Sequence, residues 1–202
     1  MRALASLLLL SFALAAAATA APLITETYTL PNGLTVILHP DPSQPMVTIN
    51  TWFHVGSKDE DPGRTGFAHL FEHLMFMGTD RVPDNQFDML MERGGGANNA
   101  STGTDRTNYY SWGPRSLLPT LMWLDADRLD ALSAAMTEKK VDLQRDVVRN
   151  ERRQNVENQP YGIAELILPE ALYPAHHPYQ HSIIGSHEDL EAATAADVKA
   201  FF

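Results

Sequence analysis

Two histidines and a glutamate stand close together in the chain, as His69-Leu-Phe-Glu72-His73. On a helix, residues 69 and 73 share one face, so both imidazole rings can reach one metal ion at about 2.0–2.1 Å. Glu72 lies on the same side but is offset by one residue from His73. Its carboxylate can therefore reach a metal-bound water without ligating the metal. The spacing predicts a metal site.

The alternative interpretation is a pair of partly buried histidines beside a surface glutamate. The surrounding sequence is apolar, with Leu70, Phe71, Leu74, Met75 and Phe76. Burying two imidazoles and a carboxylate there costs several kcal/mol unless something pairs with them, and a divalent cation does so directly. The spacing also mirrors the His-Glu-x-x-His arrangement of known zinc proteases, read in the opposite direction. Both observations favour the metal site.

A catalytic zinc site needs three protein ligands and one open position, so a third ligand must come from elsewhere. The chain has no cysteine, which leaves histidine or a carboxylate. A charged helix predicted over residues 138–158 offers Glu138, Asp142, Asp146, Glu151 and Glu157. Glu151 shares a stripe of that helix with one apolar residue and two polar ones able to orient a ligand, namely Val148, Gln144 and Asn155. Spacing favours Glu151 only modestly, and a solvated glutamate beside two arginines is an equal alternative.

Further short motifs follow one another along the chain. They are Leu30-Pro-Asn-Gly-Leu-Thr-Val, Gly56-Ser57 through Gly66, Asn99-Ala-Ser-Thr-Gly-Thr-Asp105, His177-Pro-Tyr179 and Ile184-Gly185. Together with the histidine motif and the segment from Gln144 to Glu151, they resemble the pitrilysin/insulinase family of zinc peptidases, the inverzincins, which include the mitochondrial processing peptidase. The resemblance extends over about residues 25–202.

The resemblance implies an α+β fold in which an antiparallel-dominated sheet packs against helices. It also implies a zinc-dependent endopeptidase acting on extended peptides or small unfolded proteins. By position, His69, His73 and Glu151 are the implied ligands of one Zn²⁺ per chain, and Glu72 is the implied general base. The family often has a carboxylate seven residues before the ligand glutamate. Gln144 stands there in this chain, so support of the site by hydrogen bonding is expected instead of support by charge.

The resemblance has implications for substrate and partner as well. Asn99, Ala100 and Ser101 resemble the edge strand that receives peptide substrate as an added strand. Family members work as two facing halves, so a second family-related domain or subunit is expected to close over the site. Residues 22–202 are then the N-terminal catalytic domain, truncated before one half is complete, which could bind zinc yet hydrolyse peptides poorly alone. The alternative is a non-catalytic or weakly active binding subunit, although such relatives usually lose the His-x-x-Glu-His residues.

Composition excludes several classes of protein. The 202 residues are 44% apolar and 20% charged, as in a globular protein. With 15 basic and 25 acidic side chains the net charge is −10, which argues against a nucleic-acid partner. The absence of cysteine excludes disulfide scaffolds, thiolate zinc sites and cysteine nucleophiles.

Residues 1–21 read as a targeting segment. One arginine, an apolar run and small residues at the end are typical of a secretory signal peptide, and a membrane anchor is the alternative. The run is short for a bilayer span and has no basic flank after it. We therefore expect an exported protein, periplasmic or secreted, with no stable membrane anchor after cleavage.

The remaining pattern predicts the elements that must position these residues. Alternation over residues 23–38 predicts a hairpin with a Pro-Asn-Gly turn, and β-branched residues predict a strand over 46–55. Helices are predicted over residues 67–77, 84–93, from 117 to about 132, 138–158, 163–172 and 195–202, and paired strands over 97–102 and 106–112.

Overall fold

The computed structural model of the protein describes residues 23–201. The chain divides after Gln44 into two units, which are described over residues 23–44 and 45–201. The predicted signal peptide, residues 1–21, lies outside the described residues. Within the described part of the chain, no helix combines the length and apolar character needed to cross a membrane.

The described part of the first unit is a β-hairpin, as the alternating sequence predicts. Strand β1 (Glu26–Thr29) pairs antiparallel with β2 (Thr35–Leu38). The turn depends on Gly33, whose φ of 90° is readily adopted only by glycine. The Asn32 side chain accepts a hydrogen bond from the Leu34 amide at 3.2 Å and closes the turn.

The second unit contains a three-stranded antiparallel sheet. Its strands are β3 (Met46–Phe53), β4 (Ala97–Thr102) and β5 (Thr107–Pro114), in the order β3-β5-β4. Strand β4 is thus an outer strand of this sheet within residues 45–201. The sheet and the helices around it confirm the expected α+β class with antiparallel pairing.

Helices account for much of the remaining second unit. In chain order they are α1 (Phe67–Leu74), α2 (Gln86–Arg93), α3 (Leu118–Ala135), α4 (Glu138–Arg152), α5 (Ile163–Leu172), α6 (His187–Ala192) and α7 (Ala195–Phe201). A π-helical turn, Arg153–Glu157, continues α4. Short 3₁₀ turns occupy Ser57–Asp59 and Arg115–Leu117.

The helices that carry the candidate site, α1 and α4, share one apolar core. Leu70 and Leu74 of α1 are 0% exposed, and so are Val141 and Val148 of α4. Because these residues recur at helical spacing, each helix turns one apolar stripe inward and leaves its polar residues beside the stripe. Tyr109 of β5 is in the same core.

Several predicted boundaries were wrong for local reasons. The helix predicted over residues 67–77 ends at Leu74, because Phe76 and Met77 donate to carbonyls three residues back and tighten the last turn before Gly78. The helix predicted over 138–158 is α-helical only to Arg152, after which the Asn158 amide donates to the Arg153 carbonyl in a π-type turn.

Two other helices also differ from expectation. Helix α2 begins at Gln86 and not at residue 84, because Asn85 adopts a left-handed φ of 65°. Helix α6 was not predicted. Its sequence signal is Ser186, an N-cap whose hydroxyl accepts from the Asp189 amide at 2.9 Å.

Candidate metal centre

Three potential ligand atoms converge where the end of α4 passes α1. His73 Nε2 lies 3.3 Å from His69 Nε2 and 3.3 Å from Glu151 Oε2. The third separation, His69 Nε2 to Glu151 Oε2, is 3.8 Å. Among the described residues, this is the one group of three or more histidine, cysteine or acidic side chains with ligand atoms all within 4.8 Å of one another. The structure therefore brings together the three residues predicted as ligands.

These separations are those expected of ligands around a small cation. Two atoms that bind tetrahedral zinc at about 2.0–2.1 Å are about 3.3 Å apart. Two of the three observed separations have this value and the third is somewhat longer. Two imidazoles and one carboxylate are also a donor set that zinc accepts in catalytic sites with an open fourth position. The residues present fit one zinc ion.

The protonation states of these groups suit metal binding. Burial lowers the pKa of His69 to about 4, and the neighbouring His73 acts in the same direction. The His69 ring is therefore neutral at pH 7 and offers a lone pair. A hydrogen bond from His73 lowers the pKa of Glu151, against the effect of burial, and Asn155 in the π-helical turn also donates to this carboxylate. Glu151 is thus an anion at neutral pH.

The hydrogen bonds that orient the candidate ligands are unevenly distributed. Asn155, on the stripe that the sequence pointed out, bonds to Glu151. The amide of Gln144 instead donates to Met77 Sδ at 2.7 Å, just beyond α1. His69 Nδ1 is buried with no hydrogen-bond partner among the described residues. Ligating imidazoles usually donate this second N–H to an acceptor, so His69 is oriented mainly by packing.

Glu72 lies on α1 beside the three converging side chains and is held by strand β4. Thr102 Oγ1 donates to Glu72 Oε2 at 2.5 Å. Burial raises the pKa of Glu72, while the Thr102 hydrogen bond lowers it. A carboxyl group whose pKa is raised toward neutrality can both accept and return a proton. Sequence reasoning did not single out Thr102, because its contact with Glu72 joins segments 30 residues apart.

A carboxylate from the preceding loop caps the N-terminus of α1. The N-cap residue is Gly66, with a φ of 88° and no side chain to accept a hydrogen bond. Glu60 takes that role: Oε2 accepts from the Gly66 amide at 2.9 Å and Oε1 from the Ala68 amide at 2.7 Å. Its side chain is 0% exposed and lies 3.5 Å from His181 Nδ1. Burial raises the pKa of Glu60 to about 8.

Sequence reasoning also missed Glu60. Its available signal was the acidic run Asp59-Glu60-Asp61 shortly before a helix, where negative charge favours a helix N-terminus.

A cleft of about 820 Å³ opens beside the candidate metal centre. Strand β4 lines it with Ala100 and Ser101, two of the residues predicted to bind substrate. Other parts of its lining are apolar, including Leu166 and Pro169 of α5 and Tyr173, the residue after this helix. Asn99 lies on the same strand, exposed, and its side chain accepts from the Ala100 amide at 2.8 Å.

Comparison with known proteins assigns this fold. The arrangement of sheet and helices is that of a peptidase domain, since the crystal structure of a protease from Helicobacter pylori superposes with a TM-score of 0.84 at 32% identity, covering 89% of this chain and 42% of that one. Residues 35–186 match the family model described as Insulinase (Peptidase family M16). The chain belongs to this family.

Two further relatives show how much of a family member the chain represents. The zinc protease PqqE of Helicobacter pylori is 33% identical over 177 residues, which is 87% of this chain and 39% of the relative. The periplasmic protease PqqL from Escherichia coli superposes with a TM-score of 0.77 at 26% identity, covering 91% of this chain and 21% of that one. The chain therefore spans well under half the length of these relatives.

Proposed function

We propose that the protein is a zinc-dependent endopeptidase in which His69, His73 and Glu151 bind one Zn²⁺ and Glu72 is the general base. The observation that carries the proposal is the convergence of two imidazole nitrogens and a carboxylate oxygen at separations of 3.3, 3.3 and 3.8 Å. Membership of the insulinase family and a relative named as a zinc protease support it.

The chain's own residues divide the work of peptide hydrolysis. When bound, zinc lowers the pKa of a coordinated water toward about 7 and polarises the peptide carbonyl. Glu72 accepts the proton of the attacking water and then donates it to the leaving amine, which balances the proton over the reaction. Thr102 holds the Glu72 carboxylate at 2.5 Å during both transfers.

We propose that substrate binds as an extended strand along β4. Ala100 and Ser101 line the cleft, and β4 is an outer strand of the sheet in the described part of the chain. Backbone hydrogen bonds to an added strand select for extended shape more than for side-chain sequence. The Asn99 side chain accepts a hydrogen bond from the Ala100 amide, and an arriving peptide would displace this bond.

Outer support and partners complete the proposal. Gln144 supports the site indirectly, by fixing Met77 at the end of the segment that follows α1.

Because the chain spans 39% of the zinc protease PqqE, a second family-related domain or subunit closes the cleft in the active assembly. We also propose export to the periplasm or beyond, which the targeting pattern of residues 1–21 and the periplasmic relative PqqL support.

The coverage of only 39% of the zinc protease PqqE favours one alternative, a zinc-binding but weakly active part of a two-part peptidase. The discriminating experiment is Glu72→Gln, with Glu92→Gln on the exposed part of α2 as the matched control. We measure zinc stoichiometry and cleavage of a denatured peptide, for the chain alone and with any family-related protein encoded beside it.

We expect one zinc ion in all three proteins and a loss of cleavage of roughly 10²–10⁴-fold in Glu72→Gln alone, the usual contribution of a general base. Cleavage by Glu72→Gln at the wild-type rate would refute the role of Glu72. A wild-type protein that binds zinc but cleaves nothing under either condition would favour the alternative.

A further inference from the structure

Residues 185–189, which we call the brace, connect the two helices that carry the candidate ligands. The brace contacts Thr65, the residue before the N-cap of α1. Ser186 N donates to Thr65 Oγ1 at 3.0 Å, and Thr65 Oγ1 donates to Asp189 Oδ2 at 2.5 Å. The Thr65 amide also donates to Asp189 Oδ2, at 3.0 Å. Thr65 stands four residues before His69.

The brace and the start of α1 approach each other backbone to backbone. A Cβ atom on Gly185 would lie 2.3 Å from the Thr65 carbonyl oxygen and 2.4 Å from Gly66 Cα. A Cβ atom on Gly66 would lie 2.8 Å from the Ile184 carbonyl oxygen. Only a pair of glycines fits this contact, and Ile184-Gly185 is one of the motifs that the proposed mechanism leaves without a role.

The brace also contacts the end of α4. Arg152, next to Glu151, donates to the Gly185 carbonyl oxygen and, through Nε, to Glu157 Oε1 at 2.8 Å. His187 of the brace also bonds to Glu157 Oε1, at 3.0 Å. The Arg152 side chain is only 15% exposed, so these bonds are shielded from water. The brace thus reaches the residue beside the third candidate ligand.

We propose that the brace fixes the separation of α1 from the end of α4 and so positions His69 and His73 opposite Glu151. This inference rests on the proposed zinc site. Three ligands from two elements bind a metal tightly only when held to within about 0.5 Å of the required geometry. The anchor at Thr65 stands four residues before His69, so it lies about one helical turn from this candidate ligand. The competing explanation is that the apolar contact between α1 and α4 sets the separation by itself.

The chain offers a close control for removing the Thr65 hydroxyl. Thr79 Oγ1 likewise donates to one aspartate, Asp127 Oδ2 at 2.5 Å, and accepts from backbone amides, those of Val82 at 3.0 Å and Arg81 at 3.2 Å. Thr65→Val and Thr79→Val therefore both remove a hydroxyl that links an aspartate to backbone amides, and the control loses one bond more, but only the first loosens the brace. Thr65→Ser keeps the hydroxyl and serves as the rescue.

The measurements are zinc affinity, by competition with a chromophoric chelator, and the visible absorption spectrum of the Co²⁺-substituted protein. We expect Thr65→Val to lose about 10–100-fold in zinc affinity, the usual effect of removing outer support, and to change the Co²⁺ spectrum. Thr79→Val and Thr65→Ser stay within about threefold of wild type. The brace is refuted if Thr65→Val binds zinc as wild type does with an unchanged spectrum, or if Thr79→Val loses as much.

A second pair of variants covers the case in which Thr65→Val does not fold. Gly185 and Gly63 both have a positive φ, of 73° and 80°, but a Cβ atom on Gly63 meets nothing within 4 Å. Both alanine variants carry the same backbone strain, and only Gly185→Ala pushes the brace away from Thr65. We expect Gly185→Ala to lose at least about tenfold in zinc affinity. Equal affinity for Gly185→Ala and Gly63→Ala overturns the proposal.

The outcomes separate this inference from the proposed function. A wild-type chain that binds zinc but hydrolyses no peptide counts against the proposed peptidase function, while zinc affinity still tests the brace. A wild-type chain that binds no zinc refutes both. A zinc-binding wild type with unaffected Thr65→Val and Gly185→Ala variants refutes the brace alone.

Discussion

Two groups of polar side chains in the second unit, one half-buried and one buried, balance their charges in different ways. One is the candidate metal centre on α1 and α4. The other surrounds Arg128 of α3, which is 4% exposed. Arg128 Nη2 donates to Asp125 Oδ1 at 2.5 Å, and Thr51 donates to Asp125 Oδ2 at 2.9 Å. The guanidinium also lies 4.7 Å from the centre of the Tyr109 ring.

The two groups differ in what neutralises their charge. Around Arg128, a cation and an anion from the same helix neutralise each other, and an aromatic face adds to the stabilisation. At the candidate metal centre, His69, His73 and Glu151 all offer electron pairs toward one point. Because no cationic side chain is one of these three electron-pair donors, a metal cation from solution is what would neutralise the group. The comparison therefore separates a structural ion pair, whose members carry opposite charges, from a candidate metal centre, whose members are all potential ligands.

The largest expected effect is on stability, at the ion pair. Asp125→Asn leaves the buried Arg128 charge without its partner, and we expect the free energy of unfolding to fall by about 3–5 kcal/mol. The control is Asp130→Asn, which breaks the exposed pair of Asp130 with Arg81 and should cost at most about 1 kcal/mol. Urea unfolding measures both. Equal costs for the two variants would remove the distinction between the buried pair and a surface pair.

The next effect is on metal affinity, at the candidate metal centre. Glu151→Gln removes the anionic ligand, and we expect zinc affinity to fall by more than about 100-fold, the upper range for loss of mere outer support. Asp125→Asn, measured under conditions where it is folded, should bind zinc as wild type does. Retention of wild-type affinity by Glu151→Gln would mean that this group is no different in kind from the Arg128 group.

The third expected effect is on the pH dependence of stability and concerns Glu60, a buried carboxyl group that accepts hydrogen bonds from backbone N–H groups. Its pKa of about 8 in the folded state lies above the ordinary value of 4.5, so between these pH values the folded chain holds a proton that the unfolded chain releases. This contribution to stability is full below about pH 4.5 and is lost as the pH rises to about 8, by up to about 1.4 kcal/mol per pH unit.

Unfolding of the metal-free chain over pH 5–8 tests that expectation. Glu60→Gln should show a shallower decline of stability with pH than wild type, whereas Glu92→Gln, at an exposed position of α2, should follow wild type. Parallel pH curves for wild type and Glu60→Gln would show that Glu60 is already ionised in the folded protein, held as an anion by the helix N-terminus.

The local part of the candidate site could be predicted from the sequence. The spacing of His69, Glu72 and His73 determines that they share a helix face, and the apolar residues between them determine which face is buried. The third ligand could not be derived in this way. Glu151 was one carboxylate among several on its helix, and spacing alone favoured it only modestly.

What the sequence could not give depends on contacts between distant segments. Thr102 reaches Glu72, Glu60 caps α1, and the brace reaches both Thr65 and Arg152 only because the chain folds back on itself. The change from α-helix to π-helical turn after Arg152 likewise depends on tertiary packing, because no residue type there breaks a helix. Helix periodicity carries no record of such contacts.

The separation of the candidate ligands along the chain has a thermodynamic consequence. A cation held by His73 and Glu151 would fasten together two points with two α-helices and two strands between them (α2, β4, β5 and α3) in a protein that has no disulfide. Such a fastening restricts the unfolded chain in the way a covalent cross-link does, and more so the longer the loop it closes. Unlike a covalent bond it is reversible, so a chelator would act on this protein as a reductant acts on a disulfide-linked one.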